Sequence, residues 1–196
     1  MFSSISYVVP IYNEELNIIN TITKIKEAFN QNDIKGLEII FIDDGSTDKS
    51  VEIIKTFIEK GEPIKCICLT RNFGHQEALT AGLSNAKSDL IAVLDGDLQD
   101  PPIVINEFIK SAKKGYDVIY GVRRKRKEIF YKKFAYGIFY KLLAALSKIE
   151  IPLDSGDFCL MTRKALNMLN DLPEHNRFIR GLRSYIGLKQ IGIKYE

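Results

Sequence analysis

The sequence predicts an α/β protein with a doubly wound, mostly parallel sheet flanked by helices. Apolar runs that are typical of buried strands alternate with segments of helical periodicity over roughly the first 120 residues. One run, at residues 90–94, contains no polar side chain, which is typical of a strand covered on both faces. A chain of 196 residues with 45% hydrophobic and 27% charged content can bury such a core as one domain.

The predicted elements follow each other along the chain. Strands are predicted at residues 5–9, 37–42, 64–69, 90–94 and 116–120, with a short apolar run after Asp157. Helices are predicted at 16–29, 51–58, 76–86, 103–113 and 173–187, with one more after Arg163. We expect Pro10 to close the first strand. Asn13 is the expected cap of the first helix, and Ser46 or Thr47 that of the second.

Polar clusters follow three of these strands, at residues 10–14, 43–48 and 95–100. The carboxyl ends of parallel strands meet at the same edge of a sheet, where ligands bind in open α/β folds. One acidic turn alone is commonly just a solvated loop. Three polar strand ends that converge on one crevice instead favour a functional site.

The last of these clusters has the composition of a metal site. Asp95, Asp97 and Gln99 offer three oxygen ligands within five residues, and Gly96 lets the backbone turn tightly. Hard oxygen ligands suit Mg²⁺ or Mn²⁺, which take one or two carboxylates together with substrate phosphates. A solvated acidic turn without a metal is the alternative.

Composition excludes several classes of protein. The net charge of +3 does not indicate a nucleic-acid-binding protein. Cys66, Cys68 and Cys159 form no even disulfide framework, and residues 1–7 carry no secretory signal, so we expect free thiols in a reducing cytosol. No stretch approaches the ~20 apolar residues of a membrane-spanning helix. The chain ends in what reads as the middle of a strand, so we expect a fragment of a longer protein.

A basic segment rich in aromatic residues begins after residue 122. Residues 123–127 are all Lys or Arg, and residues 129–146 combine apolar and aromatic side chains with a lysine face. This pattern is typical of an amphipathic helix at a membrane interface. A helix packed on the sheet is the alternative, and RNA binding is less favoured. We therefore divide the chain into a core at 1–122, a basic helical segment at 123–150, and a remainder of the same domain at 151–196.

Charged residues of the last part could complete a site. Asp157 follows Gly156 on a turn, although a carboxylate on a turn is often only structural. Arg180 and Arg183 lie three residues apart on a predicted helix and so share a face. Planar guanidinium groups suit phosphate binding, with a solvated helix face as the alternative.

Six motifs together resemble the family-2 glycosyltransferases, and among them the polyprenyl-phosphate glycosyltransferases such as dolichyl-phosphate mannose synthases. They occur in the right order and cover essentially the whole chain. They read Val-Pro-Ile-Tyr-Asn-Glu at 9–14, Ile-Asp-Asp-Gly-Ser-Thr-Asp at 42–48, Arg-Asn-Phe-Gly at 71–74, Asp-Gly-Asp-Leu-Gln-Asp-Pro-Pro at 95–102, Ser-Gly-Asp-Phe at 155–158 and Arg-Phe-Ile-Arg-Gly-Leu at 177–182. The series is highly specific for the family and much less specific for the sugar.

The resemblance implies a GT-A fold and an inverting transfer of a sugar from a UDP- or GDP-linked donor to a polyprenyl phosphate at the cytoplasmic face of a membrane. It implies that Asp97 and Gln99 bind Mg²⁺ or Mn²⁺ and that Asp157 is the proposed catalytic base. The implied nucleotide-sugar residues are Pro10, Tyr12, Glu14, Asp43, Asp44 and Asp95. The implied contacts to the acceptor phosphate are Arg123, Arg124 and Arg180.

Two positions depart from the family pattern. Cys159 stands where arginine often follows Gly-Asp-Phe, which removes one phosphate contact, and Tyr185 stands where tryptophan is common. Many members continue into transmembrane helices, so we expect a truncation before them or a form that uses only the basic helix. A soluble glycan or protein acceptor, or a nucleotide-binding module without catalysis, stays open as an alternative. A dinucleotide-dependent oxidoreductase is disfavoured, because no Gly-x-Gly-x-x-Gly follows the first strand. The motifs do not fix the sugar, the base, the lipid length or the oligomeric state.

Overall fold

The computed structural model describes residues 2–123 and 155–195. Arg124 and the predicted basic helix at 129–146 lie outside the described residues. The described strands are β1 (Ser4–Ile11), β2 (Gly36–Asp43), β3 (Ile64–Cys68), β4 (Leu90–Val93), β5 (Val118–Arg123), β6 (Ser155–Thr162) and β7 (Gln190–Tyr195). The described helices are α1 (Ile18–Phe29), α2 (Ser50–Glu59), α3 (His75–Asn85), α4 (Ile105–Lys113), α5 (Arg163–Asn170) and α6 (Ile179–Tyr185), and a 3-10 turn at Pro102–Val104 precedes α4.

The described strands form one sheet in the order β3-β2-β1-β4-β6-β5-β7. Strand β6 runs antiparallel to both of its neighbours, whereas all the other pairs are parallel. The mostly parallel sheet predicted from the sequence is therefore confirmed. Because β4 and β1 lie at the centre, the ends of β1, β2 and β4 are adjacent at one edge.

Helices cover both faces of the sheet, as a doubly wound fold requires. Alternate residues of each strand point to opposite faces, so Tyr7 and Val9 pack against α1 and α4 while Val8 packs against α3. Helix α5 and the start of α6 join α3 on the second face. Both faces are therefore buried, which explains the uninterrupted apolar run at residues 90–94.

Several predicted boundaries were wrong for local reasons. Pro10 lies within β1 and does not end it, because the pairing of β1 with β4 stops at Val8 and leaves Pro10 without a ladder partner on that side. Asn13 does not cap α1, which begins five residues later; its backbone has a φ of 55° and its side chain binds the loop after β2. Neither Ser46 nor Thr47 caps α2, which begins at Ser50.

Later elements differ in length. The predicted helix at 173–187 is confined to Ile179–Tyr185, and the short apolar run after Asp157 is part of an eight-residue strand. The three cysteines are free, but Cys66 is only partly buried and Cys68 is exposed, whereas their apolar surroundings in the sequence predict buried thiols. Within residues 2–123 and 155–195, every helix is too short or too polar to cross a bilayer.

Candidate active site

The carboxyl ends of β1, β2 and β4 surround a cavity of about 380 Å³, the first cavity. Its lining contains six residues predicted from the sequence: Pro10, Tyr12, Glu14, Asp44, Asp95 and Asp97. Asn72 and Gly74 from the loop before α3, and His75 at the start of α3, complete the wall. The polar residues after β1, β2 and β4 therefore converge on one cavity, which confirms the prediction from the sequence.

Hydrogen bonds lock the loops after β1 and β2 together. The backbone N–H of Asn13 donates to Ser46 Oγ at 2.9 Å, and Asn13 Oδ1 accepts from the N–H of Thr47 at 2.8 Å. The N–H of Glu14 donates to Ser50 Oγ at 2.9 Å. These contacts span more than 30 residues of sequence and hold the rim of the first cavity in one shape.

The two adjacent aspartates at the end of β2 are both buried, and the carboxylates of both accept hydrogen bonds from backbone N–H groups. Asp43 accepts from the N–H of Ser46 at 3.1 Å and lies behind the cavity wall. Asp44 accepts from the N–H groups of Phe73 and Gly74 at 2.7 and 2.9 Å. Asp44 therefore fixes the 71–74 loop against the cavity, a structural task that the sequence pattern did not indicate.

Close packing at Gly45 completes that junction. Its φ is 78°, and a Cβ atom there would lie 2.6 Å from the carbonyl carbon of Arg71. Only glycine combines this backbone conformation with so close an approach of two loops.

The residues present fit a divalent cation that is shared with a substrate. Asp97 is exposed at the first cavity, with Oδ1 oriented by the N–H of Gln99 at 3.0 Å. Asp95 Oδ1 is buried without a hydrogen-bond partner, as an oxygen reserved for a ligand would be. The described part of the chain has no set of three His, Cys, Asp or Glu side chains that could hold a metal alone. Substrate phosphates would have to supply further ligands, as they commonly do for Mg²⁺.

Gln99 lies apart from Asp97 in this arrangement. Its Oε1 accepts from Nη1 of Arg123 at 3.2 Å, and its side chain lines a second cavity of about 200 Å³. The structure therefore brings Asp97, but not Gln99, to the first cavity. Asp95 lines both cavities and joins them.

Arg123 is held from two sides in the second cavity. Its Nη2 lies 2.7 Å from Asp100 Oδ1, and its Nε donates to the Tyr195 hydroxyl at 3.0 Å. Asp100 also accepts a hydrogen bond from the Tyr195 hydroxyl. The hydrogen bond that Arg123 donates to Asp100 raises the pKa of Arg123. Burial, followed by the contact with Asp100, raises the pKa of Tyr195 to about 12. Asp100 and Tyr195 were missed from the sequence, because 95 residues separate them.

Asp157 and Arg180 lie next to each other in the wall of the same cavity. Arg180 Nε lies 3.7 Å from Asp157 Oδ1, which is buried and accepts no hydrogen bond. Burial acts to raise the pKa of Asp157, but the hydrogen bond from His75 and the charges of Arg180 and Arg183 outweigh it and leave the pKa below its usual value. Asp157 is therefore a carboxylate at neutral pH.

Arg183 does not share the exposure of Arg180, although both are on one helix face as predicted. It is only 2% exposed, and its Nη2 donates to the carbonyl oxygen of Gly156 at 3.3 Å. It therefore supports the start of β6 from behind. Asp157 lies in this strand and not on the turn predicted from the sequence. Arg124, the third predicted phosphate contact, lies outside the described residues.

His75 is the functional candidate that sequence reasoning missed. Its Nε2 lies 3.4 Å from Asp157 Oδ2 and 3.7 Å from Asp95 Oδ1, so it stands where the two cavities meet. The hydrogen bond to Asp157 raises the pKa of His75 in spite of burial. Burial raises the pKa of Asp95. The sequence did contain a signal for His75, because it directly follows the 71–74 motif. The first residue of a helix that follows a parallel strand lies at the edge of the sheet where ligands bind.

Comparisons with known proteins agree with this geometry. Residues 6–169 match the family described as Glycosyl transferase family 2. The chain is 47% identical to the uncharacterized glycosyltransferase YkcC of Bacillus subtilis, over 97% of this chain and 59% of that protein. It is 36% identical to the prophage bactoprenol glucosyl transferase homolog of Escherichia coli, over 97% of this chain and 62% of that protein. The chain thus spans about three fifths of the length of these relatives.

The fold itself also has a counterpart among solved structures. A mannosyltransferase from Pyrobaculum calidifontis, solved in complex with GDP-Man and Mn²⁺, superposes with a TM-score of 0.68 at 20% identity. The superposition covers 97% of this chain and 54% of that one. This likeness supports the GT-A fold implied by the motifs. By its matching residues and its relatives, the chain belongs to glycosyl transferase family 2.

Proposed function

We propose that this chain is the catalytic domain of an inverting glycosyltransferase that moves a sugar from a UDP- or GDP-linked donor to a polyprenyl phosphate, with Mg²⁺ or Mn²⁺. The observation that carries the proposal is the pair of cavities joined at Asp95. One of them presents exposed carboxylate, and the other presents guanidinium groups beside a buried carboxylate. Relatives named bactoprenol glucosyl transferase support the lipid acceptor.

The first cavity is suited to the donor. Its loops are fixed by hydrogen bonds before any ligand arrives, so little ordering is needed on binding. We assign the nucleotide sugar to Pro10, Tyr12, Glu14 and Asp95, with Asp43 and Asp44 supporting the wall. A divalent cation at Asp97 would offset the charge that develops on the leaving nucleoside diphosphate.

The second cavity is suited to the acceptor phosphate. Arg180 and Arg123 offer guanidinium groups at its wall, and Asp157 lies next to Arg180 on the same wall. A phosphate monoester with a second pKa of about 6 is already mostly ionised at neutral pH, so attack needs no strong base. Asp157 then orients the acceptor or takes up a residual proton, and its lowered pKa, which keeps it ionised, favours the orienting role.

Turnover measured with the full chain tests this function. The protein is incubated with Mn²⁺, a soluble prenyl phosphate and one nucleotide sugar at a time, and the lipid product is identified by mass spectrometry. We expect one nucleotide sugar to give a glycosyl prenyl phosphate. Transfer only to soluble glycans, or binding of nucleotide without transfer to any acceptor, would contradict the proposal in favour of its alternatives.

We also propose that the protein acts at the cytoplasmic face of a membrane, through the basic segment at 123–150. Each Lys or Arg near an anionic lipid surface contributes about 1 kcal/mol to binding. Replacing Arg124, Lys125, Arg126 and Lys127 with glutamine should therefore abolish sedimentation with phosphatidylglycerol vesicles. Arg123 is left unchanged, because it belongs to the second cavity. Equal sedimentation of both proteins would contradict the membrane role of this segment.

A further inference from the structure

Among the described residues, 2–123 and 155–195, the carboxylate of Asp157 is held by only one of its two oxygens. His75 Nε2 lies 3.4 Å from Oδ2, and Gln76 Nε2 donates to the same oxygen at 3.2 Å. The other oxygen, Oδ1, is buried, accepts no hydrogen bond and lies 3.7 Å from Arg180 Nε. The first two residues of α3 thus fix one oxygen of a residue that lines the second cavity, and the other oxygen lies buried beside Arg180.

The amide of Gln76 has only one possible orientation. Its Oε1 accepts from the backbone N–H of Ile179 at 2.9 Å. A backbone N–H can only donate, so the amide oxygen must point to Ile179 and the amide nitrogen to Asp157. Gln76 therefore connects the carboxylate on β6 with the start of the helix that carries Arg180.

We propose that Gln76 is a positioning residue for sugar transfer, which holds the Asp157 carboxylate at a fixed distance from Arg180. The inference rests on the proposed function and adds a residue to it. A displacement of about 1 Å at a reacting group can lower a rate about 100-fold. The two anchors of Gln76, one to Asp157 on β6 and one to the backbone of Ile179 at the start of α6, are what prevent such a displacement.

Gln76→Glu separates this role from a merely structural one. The introduced carboxylate can still accept from Ile179, but it faces the Asp157 carboxylate at about the 3.2 Å of the original contact. Two carboxylates so close repel each other or share a proton. We expect kcat at about pH 8 to fall up to about 100-fold, with the donor KM within about twofold.

A pH profile makes the test sharper. As the pH falls, the introduced carboxyl group takes up a proton and can again donate to Asp157, so the ratio of variant to wild-type kcat should rise. The charged groups that face this position are His75 on α3, Asp95 after β4, Asp157 on β6, and Arg180 and Arg183 on α6. Asp157 titrates together with the introduced carboxyl group, whereas the other groups are the same in both proteins, so to first order their titration cancels in the ratio.

Two further variants complete the design. Gln76→Met keeps the size but removes both hydrogen bonds, so its kcat should fall without any pH dependence of the ratio. Gln31→Met changes an exposed glutamine outside both cavities and should leave kcat unchanged. A Gln76→Glu variant with wild-type kcat and a flat ratio would overturn the proposal and leave only the link to α6.

A carbon NMR titration decides the geometry without turnover. The Asp157 carboxyl signal, identified by its loss in Asp157→Asn, should titrate about one pH unit or more higher in Gln76→Glu than in the wild type. An unchanged titration would overturn the inference even if the protein transferred no sugar. Absence of transfer by the wild type, with the NMR shift present, would count against the proposed function alone.

Discussion

The two cavities that meet at Asp95 manage charge in opposite ways. The first is built from loops whose hydrogen bonds are made among themselves, which leaves Asp97 exposed and free to bind a cation. In the second, Arg123 is paired with Asp100, and Asp157 is paired with His75 from the wall of the first cavity. Burying an unpaired charge is costly, so the more enclosed site needs these partners. On the proposed function, we expect the first cavity to bind the donor and the second to orient the reacting groups.

Asp157→Asn should give the largest effect, and on rate alone. The amide keeps the size but loses the charge that Arg180 and His75 face, so we expect kcat to fall about 1000-fold. Nucleotide affinity should stay within about twofold, because Asp157 lines only the second cavity. Steady-state kinetics and calorimetry measure the two quantities, with Asp171→Asn as an exposed control. Equal losses of kcat and of nucleotide affinity would contradict the separate roles of the two cavities.

Asp97 should show the opposite behaviour. Both Asp97→Ala and Asp97→Asn should weaken Mn²⁺-dependent nucleotide binding about 100-fold, since each removes the exposed carboxylate. The Asn variant can still accept from the N–H of Gln99, which separates loss of charge from loss of the turn. Calorimetry with and without Mn²⁺ is the measurement, and Asp33→Ala, distant on the surface, is the control. Unchanged binding in the presence of Mn²⁺ would refute the metal assignment.

The rigidity of the first cavity can be tested with a matched pair of glycines. Gly45 and Gly61 have φ values of 78° and 77°, but a Cβ atom would meet backbone only at Gly45. Gly61→Ala should cost about 1 kcal/mol for the left-handed backbone. Gly45→Ala should cost about 2 kcal/mol more, because two loops must separate. Urea unfolding of the two variants measures these losses in the free energy of unfolding. Equal losses would mean that the loops around Gly45 can separate at little cost.

The first cavity was also the part that sequence could predict. Apolar runs identify buried strands, and the polar residues that follow them must leave the core, so their meeting at one edge follows from parallel topology. The residues of the second cavity come together through β6, which inserts antiparallel between β4 and β5. Local periodicity carries no signal for that order of strands. Tyr195, Asp100 and Gln76 therefore escaped prediction, and Gln99 was assigned to a metal although its side chain binds Arg123.

The smallest effect concerns the pH dependence of stability at His75. The pKa of His75 is raised in the folded protein, so charged His75 stabilises the fold fully below the unfolded pKa of about 6.5. That contribution is lost as the pH rises through the folded pKa. His75→Gln should therefore lower the free energy of unfolding more at acidic than at alkaline pH in metal-free buffer. If the loss in free energy of unfolding caused by His75→Gln is the same at every pH, His75 is not paired with Asp157.

The central claim is that donor and acceptor are held side by side in two cavities that share Asp95. Phosphorus NMR of a soluble prenyl phosphate, bound in the presence of Mn²⁺ and nucleoside diphosphate, measures this proximity directly. We predict strong broadening of the prenyl phosphate signal with the wild type, and little with Asp97→Ala at the same total Mn²⁺ or with Arg180→Ala. Equal broadening in all three proteins, or none in the wild type, would contradict the account.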